Sequence, residues 1–216
     1  MLEFEKFYKN YKHALIEARR NIEDVELIAV SKKQSIETIQ SVINQGQTIF
    51  GENQLQEIEK KWTALKNEHV NIKLHFIGAI QSKKISQIIS NCDVIHTVDR
   101  EKVVKIISEM DATKLLEKKF FIQINTANEV QKAGVKLELA DAFIETCKSY
   151  KVAVHGLMCL PPAKEHPSQH FQTLQAIAKN HNLKYLSMGM SHDYDIALKY
   201  GATHIRIGTA IFGNRG

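Results

Sequence analysis

Residues 26–65 read ELIAVSKKQSIETIQSVINQGQTIFGENQLQEIEKKWTAL, and this stretch decides the fold. An apolar run of strand length is followed by a segment whose apolar residues recur with helical period, and then the same pair occurs again. Both strand runs are apolar on both faces, which is typical of parallel strands that are covered on both sides. The stretch therefore predicts two consecutive β–α units in a parallel sheet.

The same alternation continues along the whole chain. Strand-length runs occupy eight ranges: 26–31, 48–53, 73–79, 94–99, 119–125, 152–158, 185–190 and 204–209. Helical patterns follow the first seven, and an opening helix over residues 4–20 precedes them. The pattern predicts a single-domain (β/α)8 TIM barrel with an extra N-terminal helix, spanning residues 1–216. A doubly wound open sheet is the alternative, but no GxGxxG follows the first strand.

Three residues are expected to mark helix starts. Ser35 precedes the second helix, Asp99 precedes a helix over about residues 100–116, and Pro167 lies near the start of the helix after the sixth strand.

Composition excludes several classes of protein. The chain has 216 residues, of which 44% are hydrophobic and 25% charged, so disordered and fibrous classes are excluded. No apolar run reaches the ~18 residues of a spanning helix, and the N-terminus does not resemble a secretory signal. The net charge of +5 comes from scattered lysine pairs, which favour solvated helix faces over nucleic-acid binding. The three cysteines have no metal or disulfide spacing, so a cytoplasmic protein without a metal is expected.

In a barrel, functional residues gather at the carboxyl ends of the strands. Lys32 and Lys33 follow the first strand, and a partly buried lysine there is a candidate Schiff-base nucleophile. Because both faces of that strand are apolar, alternation does not decide which lysine faces the barrel axis. The alternative for either residue is a lysine that extends into water.

The ends of the last two strands carry a candidate phosphate site. Ser191 belongs to the sequence Gly-Met-Ser after the seventh strand, and Gly208 and Thr209 follow the eighth. Glycine lets a ligand approach the backbone, and hydroxyl and N–H groups donate to an anion, although ordinary tight turns would also use these glycines. Arg206 shares the face of Gly208 and needs an acceptor, which is either a ring nitrogen of a ligand or a carboxylate on another strand.

The histidines and cysteines are weaker candidates. His166 and His170 have helical ligand spacing, but the ligand count for zinc is lacking. His75 is expected to be a satisfied core histidine, and Cys159 an inert thiol.

A series of motifs resembles one known family. They include Ala-Val-Ser-Lys ending at Lys32, Phe-Gly-Glu-Asn ending at Asn53, His-Phe-Ile-Gly beginning at His75, and the sequences around Ser191 and Arg206. Over about residues 25–213, the chain resembles the pyridoxal phosphate homeostasis proteins, which have the barrel of the alanine racemase N-terminal domain (fold type III).

The resemblance implies pyridoxal 5'-phosphate (PLP) as cofactor and assigns the site residues. It places the cofactor aldimine on Lys32, the phosphate at Ser191, Gly208 and Thr209, and the pyridine nitrogen at Arg206. Asn53 is implied as a wall of the pocket, and His75 as a residue behind it. The family often has Asn-Lys where this chain has Lys83-Lys84, so that loop receives no role.

The family implies a PLP carrier or regulator of intracellular PLP homeostasis, without enzymatic turnover. Amino acids and PLP-dependent apo-enzymes are further candidate partners. The alternative is a PLP-dependent, racemase-like enzyme. Racemases of this fold use a tyrosine from an added C-terminal domain across a dimer, and this chain ends at Gly216. A monomer is therefore expected.

Overall fold

Eight parallel strands form a closed barrel in the computed structural model, which describes residues 3–129 and 131–213. The barrel strands are β1 (Glu26–Val30), β2 (Ile49–Glu52), β3 (Lys73–Phe76), β4 (Val94–Val98), β5 (Lys119–Asn125), β6 (Val154–Cys159), β7 (Tyr185–Ser187) and β8 (His204–Ile207). Each strand pairs with the next, and β8 closes the barrel on β1, with Glu26 opposite His204. This confirms the predicted (β/α)8 barrel. A two-residue strand, Val135–Lys136, pairs with the end of β5.

The helices alternate with the strands. They are α1 (Glu3–Glu17), α2 (Ile36–Ile43), α3 (Leu55–Glu68), α4 (Ile85–Asn91), α5 (Glu101–Ser108), α6 (Ala140–Ser149), α7 (Ser168–Asn180), α8 (Tyr194–Lys199) and α9 (Thr209–Phe212). Short 3-10 turns lie at Ile22–Asp24, Ser82–Lys84, Ala112–Lys114 and Leu137–Leu139.

Two of the three predicted helix starts agree with the structure. The Thr38 amide donates to the Ser35 hydroxyl at 3.2 Å, and Pro167 directly precedes α7. The prediction for Asp99 was wrong, because Arg100 occupies the position before α5, without a capping hydrogen bond from its side chain, and the helix ends at Ser108 instead of near residue 116. The Asp99 carboxylate is engaged instead by the Arg100 guanidinium at 2.5 Å.

The predicted opening helix is confirmed as α1, which packs against α8 and α9. Phe7 and Tyr11 are buried on its inner face. The Phe7 ring meets the Tyr194 ring edge-on at 5.3 Å, and the Tyr11 hydroxyl donates to the Val25 carbonyl at 3.2 Å. Helix α1 thus supports α8 and α9, the two helices that follow β7 and β8.

A close backbone approach fixes the ends of β2 and β3. A Cβ placed on Gly78 would lie 2.0 Å from the Asn53 carbonyl oxygen, so only glycine permits this contact. The two strand ends therefore hold Asn53 at the mouth of the barrel. None of the helices in the described ranges is long and apolar enough to cross a membrane.

Candidate functional site

A cavity of about 370 Å³ opens at the carboxyl ends of the strands. All six residues singled out from the sequence line it: Lys32, Asn53, Ser191, Arg206, Gly208 and Thr209. Sequence reasoning assigned no role to the six other lining residues: Val30, Ile77, Gly78, Leu160, Met190 and His192. Ile77 and Leu160 directly follow β3 and β6, and Met190 lies three residues after β7, so their signal was their position near strand ends.

The structure separates the two lysines that follow β1. Lys32 is partly buried and lines the cavity, whereas Lys33 is exposed. Lys33 has a positive φ of 61°, and its amide donates to the Glu57 carboxylate at 2.6 Å. Of the two lysines, only Lys32 lines the cavity.

A buried polar network holds the end of β1 in place. Glu52, which is fully buried, accepts from the Ser31 hydroxyl at 2.8 Å, from the Trp62 indole at 3.2 Å and from Lys61 at 2.8 Å. Lys61 also donates to the Ser31 carbonyl at 3.0 Å. Burial raises the pKa of the Glu52 carboxyl, while its three donors oppose that rise. Because Ser31 directly precedes Lys32, the network fixes the backbone that carries the lysine.

The loop after β7 presents Ser191 to the cavity. Gly189 has a φ of +93°, and a Cβ there would lie 2.7 Å from that of Ala197, so glycine is required at this turn. The buried Asp193 carboxylate accepts from the Met190 amide at 2.6 Å. These contacts fix the loop that carries Ser191, which lines the same cavity as Gly208 and Thr209.

Arg206 is buried, and no carboxylate of the described residues pairs with it. Its guanidinium donates to the Ser187 hydroxyl at 2.6 Å and to the Cys159 carbonyl at 2.9 Å. Burial lowers the pKa of its guanidinium. In the described part of the chain it forms no ion pair with an acid, so the internal salt bridge considered from the sequence is not found. A charged group that lines the cavity thus has only neutral partners.

His75 lies behind Arg206 in a chain of hydrogen bonds. Its Nδ1 is 3.0 Å from Nε2 of His96, and Nδ1 of His96 is 2.8 Å from the Ser187 hydroxyl to which Arg206 donates. His75 is therefore connected to Arg206, which lines the cavity, through His96 and Ser187.

The remaining candidates are occupied or unreactive. His170 lies 2.9 Å from the Thr126 hydroxyl and 3.1 Å from the Glu165 carboxylate. Burial raises the pKa of the Cys159 thiol to about 12, as expected for an inert cysteine.

Comparison with known proteins identifies the family. The profile "Alanine racemase, N-terminal domain" matches residues 6–216. The pyridoxal phosphate homeostasis protein of Aquifex aeolicus is 35% identical over 200 residues, which cover 88% of this chain and 87% of that protein. That of Pseudomonas aeruginosa is 37% identical over 204 residues, covering 92% and 88%. This chain belongs to the pyridoxal phosphate homeostasis protein family.

Solved structures of similar proteins agree with this family. PipY of Synechococcus elongatus, in a structure with PLP bound, has a TM-score of 0.75 and 29% identity, covering 93% of this chain and 99% of PipY. Alanine racemase of Corynebacterium glutamicum has a TM-score of 0.65 at 17% identity, covering 92% of this chain and 60% of that enzyme. The racemase comparison shows the shared barrel fold alone.

Proposed function

We propose that this family member binds PLP in the cavity at the carboxyl ends of the strands, holding it covalently as a Schiff base on Lys32. We further propose that residues 1–216 act as a single-domain, monomeric carrier in cytoplasmic PLP homeostasis. The observation that carries the proposal is the convergence in one cavity of an amine, a hydroxyl-lined glycine turn and a buried cation: Lys32, Ser191, Gly208, Thr209 and Arg206.

The phosphate end of the cofactor fits the turn after β8. A Cβ on Gly208 would meet only Val30, at 3.6 Å, so the protein itself does not require glycine for space at this position. A ligand that approaches the backbone closely does require it. The hydroxyls of Ser191 and Thr209 are suitable donors to a phosphate.

Two polar groups suit the ring of the cofactor. Arg206 has no acidic partner in the described ranges and is suited to face the pyridine nitrogen. The side-chain oxygen of Asn53 is buried, and no described group forms a hydrogen bond with it. A ring hydroxyl is a donor that would satisfy this oxygen.

The same residues favour retention over turnover. When bound, PLP supplies an electron sink for carbanion chemistry. Arg206 carries a positive charge beside the proposed position of the ring nitrogen, and a neighbouring cation disfavours protonation of that nitrogen. A weaker electron sink suits a carrier that passes PLP to amino acids or to PLP-dependent apo-enzymes.

Substitution of the two adjacent lysines tests the proposal. The purified protein, incubated with PLP, should show the absorbance of the bound cofactor, and borohydride should fix the cofactor mass to the peptide containing Lys32. Lys32→Ala should lose both signals. Lys33→Ala is the matched control and should keep them, because Lys33 is exposed and does not line the cavity. An adduct found mainly on Lys33, or PLP absorbance retained in Lys32→Ala, would refute the assignment.

A further inference from the structure

A second cluster of functional side chains lies inside the barrel at the opposite end from the cofactor cavity. Glu26 begins β1, His204 begins β8 directly across from it, and His75 lies on β3. One ligand atom from each of the three side chains lies within 4.8 Å of the others. Nothing in the cofactor proposal uses these three residues.

The atoms that converge are buried and unsatisfied. Nε2 of His204 is 3.1 Å and Nε2 of His75 is 3.7 Å from Oε2 of Glu26. The first contact is close enough for an ion pair when His204 is protonated. All three atoms are buried, and none has a hydrogen-bond partner outside this cluster among the described residues. Buried polar atoms are rarely left in this state, so a missing ligand is indicated.

The opposite nitrogen of each imidazole is already engaged. Nδ1 of His75 lies 3.0 Å from His96, and Nδ1 of His204 lies 2.8 Å from the Thr203 hydroxyl. Metal-binding histidines use one nitrogen for the metal and give the other to such a partner, which fixes the ring orientation and the tautomer. Both rings therefore direct Nε2 towards the Glu26 carboxylate.

We propose that Glu26, His75 and His204 bind a divalent transition-metal ion, with Zn²⁺ as the ion that fits best. Two histidines and one glutamate form a known type of three-ligand zinc site, which leaves a fourth position open. Ligand atoms about 2.0–2.1 Å from a tetrahedral zinc lie about 3.4 Å from each other. The distances from Oε2 of Glu26 to Nε2 of His204 and of His75, 3.1 and 3.7 Å, lie on either side of that value.

The surroundings provide access and a suitable charge. A cavity of about 270 Å³ reaches Glu26 and His75 from outside. Two lysines and two further acids line it, so their charges balance and the Glu26 carboxylate remains as the net anion.

This site departs from the sequence expectation of no metal. The three ligands come from three separate strands, and no spacing motif joins them. Only closure of the barrel, which places β8 beside β1, brings Glu26 and His204 together.

Zinc binding to the purified, tag-free protein tests the proposal. After gel filtration to remove unbound cofactor, isothermal titration with Zn²⁺ should give one tightly bound ion per chain. Glu26→Gln and His204→Gln should each weaken binding by more than about a hundredfold, and His96→Gln by roughly 10- to 100-fold, because it removes only the partner of a ligand. His69→Gln is the matched control and should bind like the parent, because His69 contacts the Gln40 amide.

A spectroscopic measurement covers the case in which a variant does not fold. Co²⁺ added to the unmodified protein should give the intense visible absorption of a tetrahedral site, and an equivalent of Zn²⁺ should abolish it. Failure to bind either ion, or binding that persists equally in folded Glu26→Gln and His204→Gln, would overturn the proposal. Neither measurement depends on PLP, so the result is independent of the proposed function.

Discussion

Replacing Lys61 by methionine should strongly destabilise the protein, because the buried Glu52 carboxylate would lose its cation. The Lys61 ammonium lies 2.8 Å from Glu52, and the two side chains are 6% and 0% exposed. Removing one partner of a buried ion pair costs about 3–5 kcal/mol in free energy of unfolding. With a urea m-value of roughly 2 kcal/mol/M, the midpoint should fall by about 2 M.

Three comparisons make this prediction specific to the ion pair. Lys60→Met changes the exposed neighbouring lysine and should leave the midpoint almost unchanged. The double variant Glu52→Gln/Lys61→Met removes both charges, and it should be less destabilised than the sum of the single variants by at least about 1 kcal/mol. The loss in Lys61→Met should also be smaller at pH 5 than at pH 8, because protonation removes the unpaired charge of Glu52.

Urea denaturation followed by circular dichroism measures all of these variants. A loss of less than about 1 kcal/mol for Lys61→Met, or strict additivity in the double variant, would show that Glu52 and Lys61 are not coupled as a buried pair. Lys61 also donates to the Ser31 carbonyl, so the folded variant should bind PLP more weakly than the parent.

Three further predictions concern the cofactor site and the barrel interior. Pyridoxal should bind at least about tenfold more weakly than PLP, because each charge-assisted hydrogen bond to phosphate is worth about 1.5–3 kcal/mol. Ser191→Ala and Thr209→Ala should each reduce the difference in affinity between PLP and pyridoxal, as measured by fluorescence titration. Equal affinity of the parent protein for PLP and pyridoxal would exclude a phosphate site. In EDTA, stability should fall as pH decreases from 6.5 towards 3, because His75 has a folded-state pKa of about 3 against an ordinary value of 6.5. His75→Gln should make the urea midpoint less dependent on pH over this range. An identical dependence of the midpoint on pH in the parent and the variant would contradict the assignment of the lowered pKa to His75. Racemisation of L-alanine by PLP-loaded protein, followed by chiral chromatography, should remain far below a median enzyme turnover of about 10 s⁻¹. Turnover of that size, lost in Lys32→Ala, would identify an enzyme instead of a carrier.

The periodicity of the sequence was sufficient for the barrel but not for the choice between Lys32 and Lys33. Apolar runs covered on both faces and helical repeats predict strands and helices directly. The choice between the lysines depends on a single backbone torsion, the φ of 61° at Lys33, and on the Glu57 carboxylate that holds its amide. Glu57 lies on α3, beyond the next strand, so no local pattern contains this information. The motif resemblance assigned Lys32 without supplying this physical reason.

The partners of Arg206 show a different limit of sequence reasoning. Its position on β8 predicts a buried guanidinium, and its charge requires an acceptor, which is either a ring nitrogen of a ligand or a carboxylate on another strand. The structure instead supplies a hydroxyl and a carbonyl, Ser187 and Cys159, from β7 and β6.

The polar chain behind Arg206 links the two ends of the barrel. It runs from Arg206 through Ser187 and His96 to His75, whose far nitrogen faces Glu26. Each imidazole in this chain must donate through one nitrogen and accept through the other while it is neutral. Arg206 always donates to Ser187, so the direction of the remaining hydrogen bonds depends on which nitrogen of His75 carries the proton. A metal ion on Nε2 of His75 would place that proton on Nδ1 and set the direction of the whole chain. Whether the Ser187 hydroxyl, which accepts from Arg206, donates to His96 or accepts from it would then depend on metal binding at the opposite end of the barrel.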